Sequence, residues 1–171
     1  MPDADASARA HAVIAAALAA GATVATAESI TAGAVCAALV SVPGASAVVR
    51  GAVVAYVPDV KQRVLGVDPH TIEHDGVVSE RTALEMAHGA RTMLEADLAV
   101  ATTGAAGPQA HDGTPAGTVC IAVVWEGGEA ASTSRFEGDR AEVTAAAVRE
   151  ALRMAGEALA SGRGQAGSAH R

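Results

Sequence analysis

The chain has almost no aromatic side chains: one Phe, one Tyr and one Trp in 171 residues. Without large rings, a core must be filled by small aliphatic groups. Half of the residues are hydrophobic, mostly Ala and Val. Small side chains let helices lie close on a sheet, and this length suffices for one domain with a real core. Cysteine is scarce too. Cys36 and Cys120 stand far apart in apolar surroundings. That predicts two reduced, buried thiols in a cytoplasmic protein, and no spacing points to a zinc site. Positive charge is in deficit, with 12 Lys and Arg against 19 Asp and Glu, a net of −7. Such a surface disfavours direct contact with nucleic acid or an anionic membrane, though it permits a local basic pocket. Apolar runs are broken by charge or glycine well before the ~20 residues that span a bilayer. The opening residues MPDADASARAH start acidic, so no signal peptide is read there. Lysine is the scarcest basic residue: Lys61 is the only one, beside eleven arginines.

What is present alternates in period. Residues 5–20 read as a helix stopped by Gly21, and TVATA (23–27) as a short buried strand. A second short helix is expected over 31–41. The β-rich run 45–57 is ended by Pro58, and Asp59 is the expected cap of a helix over 59–66. Residues 68–79 show little periodicity and are expected to form a loop. Ser79 is the expected N-cap of a long helix through Glu95. DLAVATT (97–103) and GTVCIAVVW (117–125) read as strands around a Gly/Pro-rich loop. A turn at EGGE (126–129) gives a hairpin to 130–138, and residues 139–160 form a final helix capped by Asp139. This order predicts a three-layer α/β/α sandwich with a mixed, mostly parallel sheet and one β-hairpin. Residues 1–160 read as one domain and 161–171 as a flexible tail.

In open α/β sheets, ligands collect at the carboxyl ends of strands. Three polar or glycine-rich segments follow strands here: TAESITAG (26–33), AYVPDVK (55–61) and TTGAAGPQ (102–109). Ser29 has two readings, a helix N-cap or an oxygen held near free N–H groups that can bind an oxyanion. A nucleophilic serine needs a base. Glu28 is adjacent on an extended segment and points the other way. His111 lies in the glycine loop, but no GxSxG accompanies Ser29. Lys61 is either a solvated lysine or a general base, and an amine able to lose its proton is something arginine cannot supply. The glycine loop is either an anion cradle or a plain surface loop. Arg140 opposes the macrodipole preference in the first helical turn, so it is either solvated or bound to something.

The segments TAESITAG, PGASAVVRGAVVAY, GVVSE, TTGAAGP, GTPAGTV and FEGDR occur in this order. Together with the stretch from Lys61 to Val67 they resemble the C-terminal domain of the CinA family, a nicotinamide mononucleotide amidohydrolase, from about residue 8 to residue 160. The likeness is to a stand-alone form of that domain. It implies deamidation of nicotinamide mononucleotide to nicotinic acid mononucleotide and ammonia, with no metal and no cofactor. It further implies a small-molecule nucleotide partner and a homo-oligomer, while the net charge of −7 and the broken apolar runs speak against direct nucleic acid or membrane contact. By this resemblance Ser29 is the nucleophile, Lys61 the base, and Tyr56 a third catalytic residue. Glu28, Thr31, Gly33, Ser46, Thr103, Gly104, Gly107, Gly117, Thr118 and Arg140 are implied to contact substrate. The chain departs from the family at Ile30, Ala32, Pro58 and Thr114. Ile30 and Ala32 are expected to crowd the serine. A catalytically weak or inactive nucleotide-binding or protein-interaction module on the same scaffold is the alternative reading. The apolar face Ala145, Val148, Leu152 and Ala155 reads as core or as subunit contact.

Overall fold

The computed structural model describes residues 3–166, with side chains to Ser161. Helix α1 (Ala4–Ala20) starts at Asp3, whose carboxylate accepts the Ala6 N–H, and stops at Gly21 in the left-handed region. Strand β1 (Val24–Glu28) follows, then α2 (Ala34–Val40), β2 (Val49–Val54), α3 (Pro58–Leu65) and α4 (Pro69–His74). Helix α5 (Glu80–Met93), strands β3 (Leu98–Gly104), β4 (Thr118–Trp125) and β5 (Gly128–Arg135), and helix α6 (Arg140–Ala166) complete the order.

The sheet runs β2-β1-β3-β4-β5. Strands β2, β1 and β3 pair in parallel, and β4 pairs antiparallel with both β3 and β5. Four strands thus share one direction and β4 alone is reversed. Strands β1, β3 and most of β4 are buried on both faces, as covered sheets require. One core, with Ile14, Leu39, Val100 and Leu152, lies under α1, α2 and α6. The other, with Leu65, Met86, Ala99 and Val124, lies under α3 and α5. The expected three layers are therefore present. Val148, Leu152 and Ala155 are buried in the first core.

Several boundaries differ from expectation for local reasons. Residues 29–33 form a turn, and α2 starts only after Gly33. Within 45–57, residues 45–47 make one 3₁₀ turn and only Val49–Val54 is strand. Asp59 does not cap α3. Val57 occupies that position and Pro58 opens the helix, where its missing N–H costs nothing. The expected loop at 68–79 contains α4, because Asp68 accepts the His70 N–H and Pro69 sits in the first turn. Asp139 does cap α6, in a reciprocal box with Glu142. That helix continues to Ala166, into the expected tail; residues 167–171 lie outside the described residues.

Candidate active site

The chain leaves β1 toward α2 on one face and β2 toward α3 on the other. The first connection runs outward from β1 to β2 and the second returns across the sheet to β3, so the chain reverses between the adjacent strands β1 and β3, the switch point where open α/β sheets take ligands. A cavity of about 370 Å³ occupies this place. Ser29 and Ile30 line it from the end of β1. Thr103 to Gly107 line it from the end of β3, Tyr56 to Pro58 from the approach to α3, and Arg140 from α6.

Ser29 is held by its backbone, the N–H donating to Thr102 O at 3.0 Å. Its Oγ is 2.8 Å from Lys61 Nζ. Lys61 rises from the first turn of α3 and is completely buried. Its Nζ also contacts the carbonyls of Ala55 at 2.7 Å and Tyr56 at 3.2 Å. Those carbonyls are placed by the parallel ladder, where the Ala55 N–H donates to Glu28 O at 2.8 Å. Among the described residues no carboxylate faces the amine. Burial alone disfavours the ammonium and lowers its pKa to about 8. A neutral amine donates two N–H groups to the two carbonyls, and its lone pair then points at the serine hydroxyl. This is the geometry of a general base on a nucleophile.

The helix N-terminus beyond Ser29 is not open. Glu28 is completely buried, and its carboxylate accepts the N–H groups of Gly33, Val35 and Cys36 at 2.8–3.0 Å. Free oxyanion donors are thus absent from the start of α2. The N–H groups of Ile30, Ala106 and Gly107, all on cavity-lining residues, meet no acceptor within the described residues. Arg140 donates to Gly107 O at 2.6 Å and is the only permanently charged side chain on the described wall.

A family model, the CinA C-terminal domain, matches residues 6–159. The chain belongs to the CinA family. A CinA-like protein of Frankia casuarinae is 44% identical over 139 residues, covering 81% of this chain and 32% of that protein. One from Mycolicibacterium gilvum is 46% identical over 151 residues, covering 86% of this chain and 35% of its own. The chain thus spans about a third of the length of the curated relatives it matches. Among solved structures, the CinA superfamily protein of Klebsiella pneumoniae 700603 superposes with a TM-score of 0.88 at 38% identity, covering 91% of this chain and 98% of that one. The competence/damage inducible protein CihA of Agrobacterium tumefaciens gives 0.88 at 38%, covering 93% and 98%.

Of the residues singled out from CinA resemblance, Ser29, Tyr56, Thr103, Gly104, Gly107 and Arg140 face one cavity, with Lys61 directly behind the serine. Thr103 is anchored there, its Oγ1 donating to Val77 O at 2.8 Å. Gly117 and Thr118 stand one layer back: they exchange backbone hydrogen bonds with Ala105 and so hold the loop from beneath. Four residues are elsewhere. Glu28 has both oxygens occupied and no exposed surface. Thr31 is buried between Glu28 and Thr102. The Gly33 N–H is turned to Glu28. Ser46 lies in the turn before β2, at the amino end of a strand whose carboxyl end approaches the site. Ile30 does line the cavity, but Ala32 is exposed at a φ of 50° and does not crowd the serine. His111 sits on the cavity wall, yet the hydroxyl's partner is Lys61. Val77 and Val78 also line the wall and were not legible as such, since only the fold brings the 76–79 segment over Thr103.

Proposed function

We propose that this CinA-family domain is an amidohydrolase that deamidates nicotinamide mononucleotide. The observation that carries the reading is the contact of Ser29 Oγ with a buried Lys61 Nζ that has no carboxylate partner among the described residues. In the first step Lys61 takes the Ser29 proton while Oγ bonds to the amide carbon. The C–N bond then breaks as Lys61 returns the proton to the leaving ammonia. Water, deprotonated by the same amine, attacks the acyl-serine, which releases the carboxylate and restores the hydroxyl. The developing oxyanion needs donors in a dry site, each worth roughly 3 kcal/mol. The unpaired Ile30, Ala106 and Gly107 N–H groups are the candidates. Tyr56, Val77 and Val78 offer apolar surface for a flat pyridine ring. Arg140 has guanidinium donors left for a phosphate.

The test is ammonia release from nicotinamide mononucleotide by the purified protein and by Ser29→Ala. Turnover in the first and none in a folded Ser29→Ala is the expected result. Binding of the nucleotide without hydrolysis at any pH from about 6 to 10 refutes the amidase reading and selects the binding-module alternative.

A further inference from the structure

Glu28 is a buried carboxylate that the proposed chemistry leaves unused. Oε1 accepts Thr26 Oγ1 at 2.9 Å and the Cys36 N–H at 2.8 Å. Oε2 accepts Thr31 Oγ1 at 2.7 Å and the N–H groups of Gly33 and Val35 at 2.8 and 3.0 Å. Five donors therefore converge on one charge, and no side-chain cation is among them. A residue immediately before Ser29 in the chain is thereby tied to residues up to eight positions beyond itself. The intervening turn becomes a closed ring, with one side fixed to the last residue of β1 and the other to the first turn of α2.

That ring is strained. Ala32 takes a φ of 50° and Gly33 a φ of 97°. Left-handed backbone at a residue with a Cβ persists only where surrounding bonds enforce it. Within the ring, the Ala32 N–H donates to Ser29 O at 3.2 Å, and Thr31 Oγ1 reaches Thr102 Oγ1 at 2.7 Å on the neighbouring strand. Ser29 is therefore gripped on both sides while its Oγ faces Lys61.

We propose that Glu28 is a positioning residue, which closes the 28–36 ring and so holds Ser29 Oγ against Lys61. It works through Ser29 and touches no substrate. This rests on the Ser29–Lys61 reading of the site, but not on the identity of the amide. The assignment also explains why the N-terminus of α2 is withheld from ligands: its N–H groups are spent on rigidity.

The test is Glu28→Gln. An amide in this place turns an NH₂ toward either two or three donors, whichever way it is rotated, so the ring opens without a change of size. The expected result is at least a tenfold fall in kcat with KM within twofold. Ser29 labelling by a fluorophosphonate, which requires a reactive serine and no nucleotide, falls by a similar factor. Both are read well below the melting temperature of each variant. A merely structural role lowers that temperature and leaves both rates at the wild-type value, and that outcome overturns the proposal. Should Glu28→Gln not fold, Thr31→Val decides, since it removes one donor and keeps the carboxylate. At least a threefold slower labelling supports the proposal, and an unchanged rate overturns it. Wild-type protein that labels but releases no ammonia sinks the substrate reading and leaves Glu28 to be judged by labelling. Wild-type protein that does not label sinks both.

Discussion

Lys61 offers the sharpest quantitative test, because its burial links rate and stability through one proton. Its pKa falls from 10.5 to about 8 as burial penalises the ammonium. Only the neutral amine can accept the Ser29 proton. At pH 7 roughly a tenth of the molecules hold it, and each further unit downward costs about another factor of ten in kcat/KM. The profile should rise with unit slope from about pH 6 and bend near pH 8. The same shift acts on folding. The folded chain binds this proton less tightly than the unfolded chain, so between about pH 8 and 10.5 the unfolded state is the more protonated. Stability from this group therefore climbs with pH across that window. Below it the full penalty applies, on the order of 3 kcal/mol for a shift of this size. Lys61→Met keeps the volume and deletes the titration. Urea unfolding of the two proteins at pH 7.5 and 10.5, followed by subtraction, cancels other titrating groups. The wild type should gain about 3 kcal/mol on the variant over that interval. A kcat/KM that is flat from pH 6 to 8, together with parallel stability curves for the two proteins, would refute the account of a desolvated base.

Two further outcomes follow from packing and charge. Gly89 lies where α5 crosses α3, and a Cβ there would stand 1.9 Å from Leu65 O, so Gly89→Ala should lose about 2 kcal/mol or more in urea unfolding and slow turnover by displacing the helix that carries Lys61. Arg140→Ala should raise KM for nicotinamide mononucleotide roughly tenfold or more, while the riboside lacking the phosphate is hydrolysed with an unchanged KM; equal effects on the two substrates would remove Arg140 from phosphate recognition.

The layers and the sheet were legible because the signals were local and strong. Caps at Ser79 and Asp139 mark α5 and α6, and doubly buried runs mark β1 and β3. Helix α4 was missed because six residues carry too little periodicity, and its signal was the Asp68-Pro69 pair alone. The pairing of Ser29 with Lys61 was readable from chemistry, since one amine stood among eleven arginines. Ser46 entered through the family likeness alone; it precedes β2 in the chain and so stands at that strand's amino end, away from the cavity.

By itself the sequence determined composition, period and punctuation: a small-residue core, alternating helices and strands, and three polar segments at strand ends. Those are properties of neighbours in the chain, and short-range sterics and hydrogen bonding settle them. Only the tertiary structure decided which groups are dry and which N–H groups are taken. Glu28 became a brace rather than a ligand contact because five donors from separate segments close on it. Lys61 holds its proton weakly because packing removed the water that would have kept its charge.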